Sequence, residues 1–268
     1  MGNPVKIEHQ INRLDASLIV ANELLSTKHR TFEMAFVEGG CFTMGCTPEQ
    51  EGDCRVNEKP AHQVTVSSFY IGKFTVTQEE WIAVMGENPS HFRGTNMPVD
   101  SVGWNDVQAF LKRLNTLTGG NYRLPTEAEW EFAARGGHLS KGYKYSGSND
   151  LYTVAQCINK ESPESIAVGL KEPNELGLYD MSGNVWEWCS DWYGAYLPGS
   201  ANNPKGPTTG KYHVSRGGSA RFDPSCCRVS YRHFCPPECN QVRHGLRLAS
   251  SVEDKTSTEH QLKLFSID

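Results

Sequence analysis

The chain has 268 residues, a formal net charge of −5 and a pI near 6.0. This length allows one large domain or two small ones, each with a substantial buried core. The acidic balance and the lack of a Lys/Arg run argue against nucleic-acid binding, and no apolar run approaches the roughly 20 residues that span a bilayer.

Residues 1–30 are predicted to contain an N-terminal helix. From Ile7 to Leu25 the apolar residues recur at alternating steps of four and three, which is the spacing of one helix face. The pattern lasts about three heptads, so it favours a helix packed on the domain over a coiled coil with a partner. The start of the chain lacks the apolar segment of a signal peptide. Either the protein has no such signal, or a natural export or lipid-anchor signal has been removed from this sequence.

Short strands are predicted after this helix. Gly39-Gly40 and Met44-Gly45 interrupt short apolar stretches, as in a hairpin. The run from Val64 to Val76 is rich in β-branched and aromatic residues and predicts one strand.

Two helices are predicted to begin with capping boxes, in which a hydroxyl residue precedes a glutamate by three positions. Thr77 and Glu80 have this order, and the helix they begin is expected to end near Gly86. Thr126 and Glu129 have the same order and begin another helix.

A further helix is predicted between these two, from about residue 105 to 117, and Gly119 is expected to end it. Helical periodicity disappears from about residue 138, where Gly, Asn, Ser and Pro dominate. A loop-rich fold held by Trp and Arg networks explains this composition better than one long unstructured loop. Residues 251–268 are mostly polar and are predicted to be a C-terminal tail.

The nine cysteines do not form a regular pattern. An odd number at irregular spacing is not typical of a disulfide framework, and without a CxxC pair a structural zinc site is poorly supported. Cys46–Cys54, across a loop, is the disulfide that the spacing favours. For His62 and His213, hydrogen bonding within strands is favoured over metal ligation.

Several long motifs occur in order along most of residues 35–249. They occupy residues 36–45, 58–64, 98–104, 122–131, 177–188 and 216–219. Together they resemble the formylglycine-generating enzyme (sulfatase-modifying factor) domain family. The resemblance implies one domain over residues 31–250, with the α+β, C-type lectin-like fold of that family, loop-rich and with little regular structure.

The family's catalytic residues are not matched. Its catalyst is a pair of cysteines, separated by four residues shortly after Gly-Gly-Ser, that binds copper(I). Here Cys226 and Cys227 are adjacent, and neighbouring side chains diverge along an extended chain. Cys41 and Cys46 have the right spacing in the wrong motif, and the His-x3-His-x-Glu motif of the iron-dependent relatives is missing. We therefore predict no catalytic residues and no required cofactor.

Calcium binding is a further expectation from the resemblance. Asn184 and Glu187 are oxygen-bearing residues in the Gly-Asn-Val-Trp-Glu-Trp motif, and calcium prefers oxygen ligands. Structural hydrogen bonding by buried Asn184 is the alternative interpretation.

The composition between Ser219 and His244 is biased. This segment has no Lys, Met, Trp, Ile, Leu, Thr or Gly. Mutation of Asn codons at their adenines reaches the residues that dominate here and excludes Lys, Met and Trp. Such mutagenesis is the hallmark of diversity-generating retroelements, and the chain resembles their target proteins, a class that includes the variable proteins of Treponema. In that class the variable region ends in a motif similar to Gly245–Leu248, whereas Glu238 and Gln241 depart from the codon rule.

A variable region is accordingly predicted at about residues 216–249. The candidate ligand-binding positions are Ala220, Arg221, Phe222, Asp223, Ser225, Cys226, Tyr231, His233, Phe234, Cys235, Cys239, Asn240, Val242 and His244. The residues expected to form the scaffold are Arg228, Ser230, Arg232, Gly245 and Arg247.

The sequence thus predicts a non-enzymatic ligand-binding protein whose hypervariable C-terminal surface is carried on a lectin-like scaffold. Aromatic and Arg side chains supply much contact energy per residue, and Ser and Asn supply adaptable hydrogen bonds. The expected partner is a protein or surface ligand rather than nucleic acid, at the cell surface or outside the cell, with a natural lipid anchor as the only membrane attachment. A copper oxidase acting on cysteine peptides and a generic non-catalytic family domain are the alternatives.

Overall fold

The computed structural model describes residues 32–50, 52–157, 164–240 and 243–252. The predicted helix within residues 1–30 and nearly all of the predicted tail lie outside these residues. Within them, no helix is long and apolar enough to cross a membrane.

Short strands outnumber helices in the described residues. The strands are β1 (Met34–Val37), β2 (Gly40–Met44), β3 (His62–Val66), β4 (Phe69–Gly72), β5 (Tyr122–Arg123), β6 (Ala155–Gln156), β7 (Ser182–Gly183), β8 (Trp186–Trp192), β9 (Ala201–Asn202), β10 (His213–Arg216), β11 (His233–Cys235), β12 (His244–Gly245) and β13 (Ala249–Ser251). The α-helices are α1 (Gln78–Met85), α2 (Trp104–Thr118), α3 (Glu127–Ala134) and α4 (Leu151–Val154), and 3₁₀ helices occupy Pro48–Gln50, Val56–Glu58, Gly137–Leu139 and Pro224–Cys227.

Both predicted capping boxes are confirmed. The Glu80 carboxylate accepts a hydrogen bond from the Thr77 backbone N–H at 2.7 Å, and the Thr77 hydroxyl accepts one from the Glu80 N–H at 3.3 Å. Thr126 and Glu129 make the same reciprocal pair at the start of α3. Helix α1 ends at Gly86, which has a φ of 88° and so adopts the left-handed conformation that favours glycine.

The central predicted helix is also confirmed, as α2. It begins one residue earlier and ends one residue later than predicted, and Gly119 follows it in the left-handed conformation. Its buried face packs with α1 in a core that includes Trp81, Val107, Phe110 and Leu114. A second core forms around α3, where Trp130 is fully buried.

The strand predictions are wrong in two respects. The predicted single strand Val64–Val76 is two strands, because Ser67 and Ser68 lie outside strand pairing and the Ser67 N–H bonds to the Asn203 side chain at 2.7 Å. The predicted hairpin is absent, because β1 pairs with β4 and β2 pairs with β3. The two strands of each of these predicted units, β1 with β2 and β3 with β4, therefore belong to different sheets.

Two sheets fix the ends of the predicted variable region. One sheet has the order β11-β10-β8-β12, and β10 leads directly into this region at Arg216. Another has the order β1-β4-β13-β5, and β13 receives the chain as it leaves the region at Ala249. We call this region, residues 216–249, the tract. It is anchored at both ends in regular structure, while most of its own length is loop.

Candidate ligand-binding surface

The tract begins with a buried arginine and two glycines. Arg216 donates to the Glu131 carboxylate at 2.5 Å and to the carbonyl oxygens of Val229 and Ser230 at 2.8 and 3.2 Å. It therefore ties β10 both to α3 and to the later part of the tract. Gly218 has a φ of 79°, and a Cβ there would lie 2.7 Å from the Cys227 sulfur, so only glycine allows this close approach.

Two further arginines in the tract bind buried glutamates in a bidentate manner. The Arg228 guanidinium donates to both Glu58 oxygens at 2.7 and 2.8 Å, and the Ser230 hydroxyl donates to the same carboxylate at 2.6 Å. Arg232 donates to both Glu127 oxygens at 2.7 Å. Bidentate geometry makes these contacts both strong and directional.

A fourth arginine closes the tract. Arg247 donates to both Glu187 oxygens, at 2.7 and 2.9 Å, and to the carbonyl oxygens of Gly72 and Tyr179. It thereby joins β8 to β4. We call the four buried arginines that form ion pairs with glutamates, together with those glutamates, the arginine framework; its members are Arg216, Arg228, Arg232, Arg247, Glu58, Glu127, Glu131 and Glu187. The scaffold role predicted for Arg228, Ser230, Arg232, Gly245 and Arg247 is confirmed, because all five are buried.

Two of the framework carboxylates, Glu58 and Glu127, have lowered pKa values although they are buried. Burial alone would raise the pKa of Glu58, but hydrogen bonds led by the one from Arg228 outweigh it and lower that pKa below its usual value. Burial likewise opposes ionisation of Glu127, and the charges of Arg232 and Arg216 lower its pKa instead. The charged form of each of these two glutamates is therefore stabilised by its arginine partner.

The exposed part of the tract has a different character. Five of its exposed or half-buried residues were predicted to bind the ligand and lie in the segments before and after the buried run 226–232. We call them the display surface, and they are Arg221, Phe222, Asp223, His233 and Phe234. The two phenylalanines are 38% and 40% exposed, although each is a large apolar side chain. Asp223 accepts a hydrogen bond from the Ser225 N–H at 2.8 Å and so caps the short 3₁₀ helix that follows.

A buried tryptophan supports this surface. The Trp186 ring is fully buried and packs against Phe222 edge-on at 5.4 Å and against His233 in a stacked arrangement at 4.5 Å. Burial, with a smaller effect from the Arg55 charge, lowers the pKa of His233 to about 4. The His233 ring is therefore neutral at neutral pH and offers an aromatic face and hydrogen bonding, not charge.

Five predicted ligand-binding positions are buried, which corrects their expected display to solvent: Ala220, Cys226, Tyr231, Cys235 and His244. Cys226 and Tyr231 pack on Trp186, and Cys235 belongs to the core beside α2. Of the remaining positions outside the display surface, Ser225 and Cys239 are half-buried, Asn240 is exposed, and Val242 lies outside the described residues.

Residues outside the tract border the same surface, and the sequence did not point to them. The Arg55 guanidinium lies 4.7 Å from the Tyr231 ring centre, and neighbouring Val56 is 90% exposed. Both follow the disulfide Cys46–Cys54, which confirms the predicted pairing. In the sequence, the predicted disulfide was the feature that indicated an ordered loop next to Arg55 and Val56.

Phe92 is a second contact that the sequence did not indicate. The guanidinium groups of Arg221 and Arg243 lie 5.6 and 4.7 Å from the centre of its ring. Burial lowers the pKa of Arg243 to about 10, with a further effect from the nearby positive charge of Arg221. Arginines on an aromatic face are typical of cation–π contacts.

The adjacent thiols lie in different clusters, although their residues belong to the 3₁₀ helix Pro224–Cys227 and not to the extended chain that was expected. Cys226 packs with Trp186, whereas Cys227 packs in another cluster that contains Cys157. Burial raises the pKa of Cys226; a hydrogen bond with Cys157, followed by burial, raises that of Cys227. These neighbours do not fit a site in which both sulfurs bind one copper(I) ion, and Cys46 is unavailable to Cys41 because of its disulfide.

The candidate calcium ligands are occupied by other contacts. The Asn184 side chain accepts from the Ile166 N–H and donates to the Ile166 carbonyl, both at 3.1 Å. Glu187 binds Arg247 and also accepts from the Trp130 ring N–H at 2.6 Å. At both positions, therefore, the side chain makes structural hydrogen bonds, as the alternative interpretation of Asn184 expected.

The two histidines considered above also have structural roles. A His62 ring nitrogen lies 3.1 Å from the Pro60 carbonyl oxygen. His213 is buried between two tryptophan rings, each centred 3.8 Å from its own, with a ring nitrogen 3.1 Å from the Asp191 carbonyl oxygen.

Comparison with known proteins identifies relatives of this chain. The model of the sulfatase-modifying factor enzyme 1-like domain matches residues 21–252. The chain is 32% identical to the chaperone protein LppX of Paenibacillus barcinonensis, over 74% of this chain and 82% of that protein. It is 30% identical to the formylglycine-generating enzyme of Mus musculus, over 81% of this chain and 75% of the enzyme.

Some relatives are much longer than this chain. It is 31% identical to the serine/threonine-protein kinase Pkn1 of Chlamydia trachomatis over 82% of its own length, yet it spans 38% of that kinase. Among solved structures, Treponema denticola variable protein 1 is similar with a TM-score of 0.76 and 29% identity, over 85% of this chain and 98% of that one. The predicted C-type lectin-like fold, and the likeness to variable proteins, are confirmed.

Proposed function

The chain belongs to the sulfatase-modifying factor enzyme 1-like domain family, and on that premise we propose that it is a ligand-binding member of the family without enzyme activity. The observation that carries this proposal is that one tract contains both buried, ion-paired residues and exposed side chains suited to ligand contact. Its framework arginines are buried and paired with glutamates, while its display surface exposes Arg221 and two phenylalanines. The structural similarity to a variable protein supports the same conclusion.

The display surface has the composition of a protein-binding site. Phe222 and Phe234 expose part of their aromatic rings, and Arg221 and Arg55 add directional hydrogen-bond donors beside them. Phe234 rests on Tyr193 at 4.2 Å, so this ring is already partly ordered before a ligand arrives. We propose a protein or another surface ligand as the partner.

An extracellular or cell-surface location is part of the proposal. The two disulfides, Cys46–Cys54 and Cys235–Cys239, support it, because disulfides persist mainly in oxidising compartments. Natural attachment to a membrane would then require a lipid anchor rather than a helix of the described domain.

Diversification by a retroelement is tested on the DNA around the gene. We expect a repeat that is nearly identical to the coding region for residues 216–249, differs from it almost only at adenines, and lies beside a reverse transcriptase gene. A locus with no such repeat would return the chain to a generic non-catalytic member of the family.

The division of the tract is tested by saturation mutagenesis with resistance to proteolysis as the readout of folding. We expect Arg221, Phe222 and Phe234 to accept most residues, because their side chains face solvent. Arg228 and Arg232 serve as matched arginine controls and should accept almost none, because each is buried against a glutamate. Equal intolerance at all five positions would contradict a display role.

An oxidase is the second candidate function. It is favoured by the 30% identity to a formylglycine-generating enzyme and by the hydrogen bond between the thiols of Cys227 and Cys157. Oxygen-dependent conversion of a cysteine peptide in the presence of copper(I), abolished by Cys227→Ser but unaffected by Cys41→Ser, would support it. Wild-type protein that leaves the peptide unchanged would remove it.

A further inference from the structure

Three side chains that are able to bind a metal meet within the tract. The sulfurs of Cys235 and Cys239 and a ring nitrogen of His244 lie within 4.8 Å of one another. Cys235 and His244 are buried, and Cys239 is half-buried. In the structure the two cysteines form a disulfide with a Cα–Cα distance of 6.0 Å.

The three residues come from separate parts of one sheet and its covering loop. Cys235 lies in β11 and His244 in β12, which are the two edge strands of the sheet β11-β10-β8-β12. Cys239 lies in the loop that leads from one edge towards the other. A single ion bound by all three would therefore join both edges of the sheet to this loop.

We propose that reduction of the Cys235–Cys239 disulfide converts these residues into a zinc site made of two thiolates and the His244 imidazole. A phosphine reductant breaks the S–S bond, takes up the oxygen of a water molecule to become the phosphine oxide, and leaves two thiols. Zinc then displaces one proton from each thiol, and both protons pass to solvent. No electrons move in this second step.

The donor set determines which metal is expected. Thiolate and imidazole groups suit zinc, whereas calcium and magnesium require oxygen ligands. Zinc takes four ligands in tetrahedral geometry, so three protein ligands leave one position for water or for a donor group of a bound molecule. The ring of display-surface residue His233 is centred 5.6 Å from that of His244, so this position would lie close to the proposed binding face.

The other disulfide provides an internal comparison. Cys46–Cys54 belongs to no such group of three within the described residues. If reduced thiols bound zinc without regard to their surroundings, both pairs would do so. The proposal therefore predicts uptake at Cys235 and Cys239 only, and it holds whether or not the display surface has a ligand.

The first experiment is metal titration of the reduced full chain under nitrogen after removal of the phosphine. We expect one zinc ion per chain, and a cobalt(II) complex with tetrahedral d–d and sulfur-to-cobalt charge-transfer bands that zinc displaces. Cys235→Ser and His244→Ala should each weaken zinc binding by at least about 100-fold. The double variant Cys46→Ser/Cys54→Ser should bind zinc as the wild type does, and oxidised wild-type protein should not bind it.

The second experiment needs no variant, which matters because replacement of buried His244 can disturb folding. Reduced wild-type protein is alkylated with and without zinc, and each cysteine is followed by mass spectrometry. We expect zinc to slow alkylation of Cys235 and Cys239 at least about tenfold, with exposed Cys41 unaffected. Equal rates with and without zinc, or the same zinc uptake by Cys235→Ser as by wild type, would overturn the proposal.

Discussion

The C-terminal tract uses arginine in two ways, in buried ion pairs with glutamates and on its exposed surface. Arg228 and Arg247 are fully buried, and each binds both oxygens of a glutamate. Arg221 is exposed, and its guanidinium lies over the ring of Phe92. A buried charge is stable only with one partner in one geometry, whereas an exposed charge is solvated in any geometry. We therefore expect sequence change to be tolerated at the exposed positions of the tract and excluded at the buried arginines.

The largest expected effect comes from removal of a framework arginine. Arg247→Ala leaves the Glu187 carboxylate buried without its partner, so the free energy of unfolding should fall by about 3–5 kcal/mol in denaturant titration. Arg221→Ala is the matched control on the display surface, where the expected change is within about 0.5 kcal/mol. Similar losses for both variants would break the comparison between the two arginines.

Local sequence signals predicted the helices well. Thr77 and Thr126 mark helix starts because a capping box is complete within four residues. The strand from Val64 to Val76 was mispredicted because its interruption depends on Asn203, which lies 136 residues from Ser67. Long-range hydrogen bonds of this kind leave no local trace.

The candidate surface was predicted only in part for a related reason. The codon bias of the tract describes how the DNA is expected to change, not the direction in which a side chain points. Tyr231 and Cys226 satisfy that bias and are nevertheless buried against Trp186. Arg55 and Phe92 meet the tract only through the fold, so no pattern within residues 216–249 could have indicated them.

A pH titration extends the comparison of buried and exposed charges from arginines to carboxylates. Burial, together with the charge of Glu127, raises the pKa of Asp191 to about 7. Between the pKa of the unfolded chain, near 4, and this value, the folded protein holds a proton that the unfolded chain has released. The Asp191 contribution to the stability must therefore decrease as the pH rises from 4 to 7, by up to about 4 kcal/mol.

Asp191→Asn should remove this dependence, because an amide does not titrate and its oxygen can still accept the Glu127 N–H. The difference in unfolding free energy between this variant and the wild type should increase steadily from pH 4 to pH 7. Asp223→Asn is the exposed control and should follow the wild type in that range. A constant difference between Asp191→Asn and wild type would show that Asp191 does not hold a proton in the folded state.

The Cys46–Cys54 disulfide allows a test of intermediate size. It closes a loop with a sequence separation of eight, next to Arg55 and Val56 at the edge of the display surface. Cys46→Ser/Cys54→Ser should lower the free energy of unfolding by about 2–3 kcal/mol, because the unfolded chain regains the entropy of the open loop. Cys41→Ser, at an exposed free thiol, should leave it unchanged. A double variant as stable as wild type would mean that framework contacts alone order this edge.

The smallest expected effect concerns the contact between the display surface and the buried Trp186 that supports it. Phe222→Ala removes a ring that is 38% exposed, so it should lower the free energy of unfolding by about 1 kcal/mol. Its edge-on contact with Trp186 should appear as a coupling of about 0.5–1.5 kcal/mol in a double-mutant cycle with Trp186→Phe/Phe222→Ala. Phe234→Ala combined with Trp186→Phe is the control, with no coupling expected, because Phe234 packs instead on Tyr193. A loss above about 3 kcal/mol for Phe222→Ala would make this residue part of the core, and the boundary between the two regions would then have to be drawn outside it.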